Sequence, residues 1–255
     1  MDYDALLNLG TELGYKLVLS GAEIYRVEES VLRLLTAYGL QPQVFALPSC
    51  LIVSVNTPAG HPITQMRRVP PHGTDIELLE RCNDLCRQLC REVPPLPEAA
   101  ELVGKLGQDH RSYPTRVLLL GYAAAAAFFT AFYGGTLLDT LCGGLCGLAI
   151  GACLLFMARL GTNQFFKTIA GGFVCALLAV ALTVVGLGQH ASLIITGAIM
   201  TLVPGIVITN FMRDIIAGDL ISGLIKLAEA LLTATGIALG TGLALALTRL
   251  IWGVV

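Results

Sequence analysis

Between residues 204 and 232 the sequence reads PGIVITNFMRDIIAGDLISGLIKLAEALL, a mostly apolar stretch that still carries Arg213, Asp214, Asp219, Lys226 and Glu229. Asp219, Ser222, Lys226 and Glu229 recur at intervals of 3, 4 and 3, which places them on one face of a helix. Asn210, Arg213 and Asp214 precede them. The chemistry open to this set is ionic. Arg213 and Lys226 suit a carboxylate. Asp214, Asp219 and Glu229 suit an ammonium group or a transferable proton, and Asn210 and Ser222 supply neutral hydrogen bonds. Pro204, Gly205 and Gly218 punctuate the stretch as helix breaks.

What such residues do depends on the solvent around them. The chain has 255 residues, 55% hydrophobic and only 13% charged, against about 25% charged in an ordinary soluble domain. The shortfall is uneven. Residues 1 to 116 hold most of the Arg, Asp, Glu and Pro, whereas Val117 onward is dominated by Leu, Ala, Val and Gly. The expected architecture is an α-helical integral membrane protein of five transmembrane helices behind an N-terminal α+β cytoplasmic domain. The boundary falls between residues 112 and 113.

In the N-terminal part, DALLNLGTELGYKLVLSG and AEIYRVEESVLRLLTAYG have helical apolar spacing and stop at Gly21 and Gly39. QVFAL, CLIVSVN and PITQMRRV read as strands, and DIELLERCNDLCRQLCREV and PEAAELVGKLG as amphipathic helices. Beyond residue 113, spans are expected near 117–134, 136–158, 168–188, 191–209 and 220–252. MDYDALLNLG has acids where a secretory signal needs positive charge, so the N-terminal domain is expected in the cytoplasm. Lys105, Arg111, Arg116, Arg159, Lys167 and Arg213 then all fall on that side, in line with the positive-inside rule. Arg249 and Trp252 suit the opposite interface.

Gly143, Gly147 and Gly151, and again Gly236 and Gly240, have the spacing that lets helix backbones approach in lipid, within one subunit or between subunits of an oligomer. Cys82, Cys86 and Cys90 share a helix face, which reads as a small apolar face rather than a metal site. His61, His110 and His190 stand alone. No metal or cofactor is expected. A net charge of −2 without a basic stripe argues against nucleic acid. No P-loop pattern is present, which argues against ATP-driven work by this chain.

The charged stretch has two readings. A helix from Asp219 to Trp252 is about 50 Å long, longer than a hydrocarbon core of about 30 Å, so its charged start can lie in the cytoplasmic interface. Alternatively, the Pro and Gly breaks and the charged stripe form a broken, partly re-entrant element lining a polar vestibule. The second reading accounts for the apolar residues interleaved with the charges.

The same stretch closely resembles the signature of the threonine/serine exporter family. That signature joins Pro-Gly, Asn, Arg-Asp and Gly-Asp-x-x-Ser-Gly-x-x-basic-x-x-Glu-Ala. SGAEIYRVEESVLRLLTAYGL resembles the family's Ser-Gly-Ala-Glu-x-x-Arg-Val-Glu helix, which singles out Glu23, Arg26 and Glu28, and TQMRRV and NDLCRQL continue the likeness. The resemblance implies a subunit of a secondary transporter in the bacterial cytoplasmic (inner) membrane, exporting small carboxylate-bearing metabolites. It further implies a second, small multi-span membrane subunit as partner, as in the family's split form, which is associated with succinate export as well as threonine and serine. Arg213 and Lys226 beside three acids give a net −1, which favours threonine or serine over a dicarboxylate. Two readings from other classes are a membrane-anchored sensing or scaffold protein and a membrane-embedded enzyme. The enzyme would want a His/Asp cluster in the spans, where His190 stands alone.

The Lys/Arg asymmetry over an odd number of crossings generates the first prediction. A reporter fused after the last residue should be active only in its outside-reporting form; activity in the cytoplasmic form would show that one crossing is miscounted.

Overall fold

The computed structural model describes residues 2–57, 60–108 and 113–253. His110, Arg111 and Val255 lie outside the described residues. The chain forms two compact units. The first comprises Met1–Arg111 together with Ile206–Leu227, and the second comprises Ser112–Gly205 with Ala228–Val255. Residues 206–227 thus cluster with the N-terminal residues rather than with the spans around them.

The first unit opens with α1 (Tyr3–Leu19), whose N-cap Asp2 accepts the Ala5 N–H at 3.0 Å. It ends at Gly21, whose positive φ of 83° follows the last helical turn. Helix α2 (Ile24–Ala37) buries Ile24, Val27, Val31, Leu34 and Leu35, the residues at helical spacing on its apolar face. Strands β1 (Pro42–Leu47), β2 (Cys50–Asn56) and β3 (Pro62–Arg68) form an antiparallel sheet in the order β1-β2-β3. Its inner face, with Ala46, Leu51, Val53 and Val55, joins the helices in one core. Gly14 lets α1 approach the sheet and α2 closely, because a Cβ there would meet Leu51 and Val31 side chains at 2.6 and 2.7 Å.

Helix α3 (Ile76–Glu92) is capped by Asp75 and lays Cys82 and Cys86 into the same core. Burial pushes the Cys82 thiol up to about 11 and that of Cys86 up to about 12, so both stay protonated at neutral pH. Helix α4 (Leu96–Lys105) closes the core, and the Lys16 ammonium donates to the carbonyls of Gly104 and Leu106 at its end.

The second unit contains α5 (Thr115–Phe132), α6 (Leu137–Arg159), α7 (Gln164–Val184), α8 (Ala191–Ile199) and most of α10 (Leu220–Trp252). Helices α5, α6, α7 and α10 are long and apolar enough to cross a membrane. The stretch 191–209, expected as a single span, is instead two short helices, α8 and α9 (Gly205–Ala217), separated by an irregular turn over residues 200–204. Pro204 lacks the N–H that would continue the helix ladder through this turn.

The core of the second unit is built from small side chains, Ala126, Cys142, Cys146, Cys175, Ala179 and Ala198, with Ile150 and Ile194. Lipid is as apolar as a side chain, so close van der Waals packing has to replace the hydrophobic drive. The glycine repeats serve this packing within the chain. A Cβ on Gly147 would collide with the Tyr122 carbonyl of α5, and one on Gly240 with the Ile169 carbonyl of α7. Gly143 and Gly197 close on the Thr130 hydroxyl from α6 and α8.

Since backbone cannot yield as a flexible side chain can, Gly147→Ala and Gly240→Ala should each destabilise the protein by roughly 1–3 kcal/mol or more. Thermal unfolding in detergent measures this, and wild-type stability in both variants would refute the intrachain packing role.

Candidate functional site

Helix α2 starts without a side-chain cap of its own. Its N-cap residue Glu23 is extended (φ −65°, ψ 138°) and makes no capping hydrogen bond, so the first helical N–H groups need another acceptor. Asp214 of α9 supplies one: its Oδ1 accepts the Ile24 N–H at 3.3 Å. The other oxygen, Oδ2, receives the Lys226 ammonium at 2.7 Å. Asp214 is fully buried and the Lys226 side chain is only 12% exposed. A buried carboxylate without partners is costly, and here the ammonium and the positive end of α2 are those partners.

Three residues of α9, at i, i+3 and i+4, grip the start of α2. The Asn210 amide donates to the Gly21 carbonyl at 3.3 Å, and the Arg213 guanidinium reaches Glu23 Oε1 at 2.5 Å. Glu23, itself buried, is also paired with Arg26 at 3.2 Å. On the far side of α9, Ile208, Met212 and Ile216 are exposed. The helix is thus polar where it meets α2 and apolar elsewhere.

Gly218, at φ 99°, ends α9 in a conformation that other residues rarely adopt. The chain turns back at once, and the Asp219 N–H donates to the Asp214 carbonyl at 2.8 Å. Gly223 allows α10 to run against α9, because a Cβ there would meet the Ile215 side chain at 2.5 Å and the Phe211 carbonyl at 3.2 Å. Ser222 is buried beside it in the chain. Burial raises the pKa of Asp219, with neighbouring Asp214 adding to the rise and Lys226 opposing it. Glu28 accepts the Ala46 N–H at 2.8 Å. Its carboxyl is raised as well, first by burial and then by the charge of Asp219, while the Ala46 hydrogen bond pulls the other way.

The structure therefore gathers Glu23, Arg26 and Glu28 with Asn210, Arg213, Asp214, Asp219 and Lys226 in the first unit. Pro204 and Gly205 mark the junction of α8 with α9. Glu229 falls in the second unit, exposed and without an ion pair among the described residues.

One polar constellation escaped the sequence reading. Asp139, fully buried at the start of α6, accepts the N–H groups of Gln189 and His190 at 2.6 and 3.0 Å and the His190 ring at 2.9 Å. It also closes a capping box with Thr136. The Thr-x-x-Asp spacing was a legible signal for that box. Nothing local pointed to His190, which lies 51 positions away.

Four apolar helices of spanning length, with a buried, ion-paired polar cluster in the other unit, define a multi-pass membrane protein. Residues 8–248 match the family described as "Putative threonine/serine exporter", and the chain belongs to that family. Two similar bacterial proteins are a "Probable threonine/serine exporter" of Mycobacterium tuberculosis and a "Threonine/serine exporter" of Corynebacterium glutamicum. The first is 24% identical over 92% of this chain and 45% of its own length. The second is 25% identical over 96% of this chain and 52% of its own length. "Pheromone-regulated membrane protein 10" of Zygosaccharomyces rouxii is 23% identical over 91% of this chain and 24% of its own length. The chain thus spans about half the length of the bacterial relatives it matches. No solved structure matches it.

The buried pair sets a test of stability. Removing one partner of a buried ion pair leaves the other uncompensated, at a cost of about 3–5 kcal/mol. Asp214→Asn and Lys226→Met should each lose on the order of 3 kcal/mol, and the double variant clearly less than the sum. Additive losses in denaturant or thermal unfolding would show that the two groups do not support one another.

Proposed function

We propose that the chain forms part of a secondary transporter that exports small carboxylate-bearing metabolites, with threonine and serine favoured. It would act in the bacterial cytoplasmic membrane with its N-terminus in the cytoplasm. The observation that supports this most is the union of two charged motifs, residues 23–28 and 210–226, in one cluster at the helix break. Such intramembrane or interfacial charge is costly, and broken helices that present it are the usual makings of a transport site.

In this reading the carboxylate of the substrate is drawn to Arg213, and Asp219 takes the ammonium group or a coupling proton. Asn210 and Ser222 add neutral hydrogen bonds. Lys226, which the sequence offered as a second carboxylate partner, acts by holding Asp214 until substrate or proton competes for it. Glu229, exposed on the part of α10 that belongs to the second unit, is a further candidate for the coupling proton. Because the chain spans about half of its bacterial relatives, transport needs the spans of the other half, on the same polypeptide or on a second subunit.

A dicarboxylate such as succinate is the second reading, and one observation favours it. Glu23, Glu28, Asp214 and Asp219 set four carboxylates against three cations, Arg26, Arg213 and Lys226. Glu28 and Asp219 are the two carboxyls with raised pKa. Raised values mean that both take up protons before ordinary carboxylates do as pH falls. The cluster then moves from net −1 toward +1, which suits a dianion.

Asp219→Asn keeps shape and removes charge, so it should abolish export from metabolite-loaded cells while the protein still reaches the membrane. Undiminished efflux would reduce Asp219 to an interfacial residue. In wild type, succinate efflux that strengthens as outside pH falls, with threonine unaffected, would replace the amino-acid reading by the dicarboxylate one.

A further inference from the structure

The cations of the cluster are not equivalent. Lys226 is buried and committed to Asp214. Arg26 and Arg213 are half-exposed, at 52% and 54% of their side chains, and both converge on the one buried carboxylate of Glu23. Arg26 engages Glu23 and the Tyr25 hydroxyl through Nε, and Arg213 engages Glu23 through Nη1. A guanidinium has five N–H donors, so both groups keep most of theirs for another acceptor. Glu23 alone balances only one of the two guanidiniums, although Glu29 also acts on Arg26. Glu23 thus does for these side chains what a positioning residue does in an anion site: it holds two forked donors at one spot at little further entropic cost.

We propose that Arg26 and Arg213, drawn together on Glu23, form an oxyanion-binding site. The oxyanion is the carboxylate of the exported metabolite or the phosphate of an anionic lipid headgroup, which share paired anionic oxygens that accept guanidinium N–H bonds. Where it is the metabolite, the inference rests on the exporter reading above and makes Arg26, rather than Lys226, the second cationic partner of the carboxylate.

The test is binding, independent of transport. The full chain, purified in a neutral detergent, is titrated with succinate, with threonine, with threonine amide and with phosphatidylglycerol, following heat or thermal stabilisation. In Arg26→Gln the dissociation constant for the responsible oxyanion should rise about tenfold, the equivalent of one charge-assisted hydrogen bond. Threonine amide, which lacks the carboxylate, should bind wild type and variant alike. Arg213→Gln should weaken the same ligand; if that variant fails to fold, Arg213→Lys, which keeps charge without the fork, should still weaken it by a few-fold. Weakening for succinate or threonine supports a metabolite carboxylate; weakening for phosphatidylglycerol alone supports a headgroup phosphate. Equal affinities of wild type and Arg26→Gln for all three oxyanions would overturn the site. Arg26-dependent binding in a chain that moves no metabolite once the remaining spans are supplied would defeat the exporter reading and leave the site standing.

Discussion

The first unit depends on one buried carboxylate. Asp214 has no access to water, and the Lys226 ammonium and the uncapped start of α2 both point at it. Each of the three would be costly alone. A buried cation lacks its counter-ion, a buried anion loses hydration worth several kcal/mol, and a helix start without an acceptor leaves N–H groups unsatisfied. Together they close a circuit joining positions 190 residues apart in the chain. Glu23 can then turn its side chain away from the cap it would ordinarily serve and hold two arginines instead.

The same circuit explains why an apolar stretch is so densely charged. The polar face of α9 is used inwardly, on Gly21, Glu23 and Ile24, and its Ile208, Met212 and Ile216 remain outside. A helix of this kind is at ease beside lipid on one side and beside a charged loop on the other. Its ends are set by Pro204, which cannot continue the ladder of the preceding segment, and by Gly218, which takes the left-handed turn.

The two units reach stability by different means. The first packs Leu and Val from four helices and a sheet into a core of the ordinary water-driven kind. The second uses Ala, Cys and Gly so that backbones touch, and it turns Leu and Phe outward. Its deeply buried carboxylate Asp139 is also held by backbone N–H groups from a distant loop. In both units, then, a buried Asp receives donors that close a tertiary contact, added in the second unit to the local Thr136 capping box.

By itself the sequence determined the elements whose cause is local. Apolar spacing marked Ile24, Val27, Val31, Leu34 and Leu35 as the buried face of α2, and Gly21 and Gly39 as its surroundings' turns. Long runs free of charge marked α5, α6, α7 and α10 as helices of spanning length. The intervals of 3, 4 and 3 put Asp219, Ser222, Lys226 and Glu229 on one helix face, with Asn210, Arg213 and Asp214 just before them. What these residues meet was decided only by the tertiary structure. Periodicity says which side of a helix is polar, but it cannot say that Asp214 will cap α2, that Arg213 will share Glu23 with Arg26, or that His190 will find Asp139. Nor could hydropathy foresee that 191–209 breaks into two helices, since an apolar run reads alike whether or not the turn at 200–204 interrupts it. The physical reason is range: apolar patterning acts through neighbours a turn or two away, whereas a buried charge is stabilised by whichever groups the whole fold brings within about 3 Å.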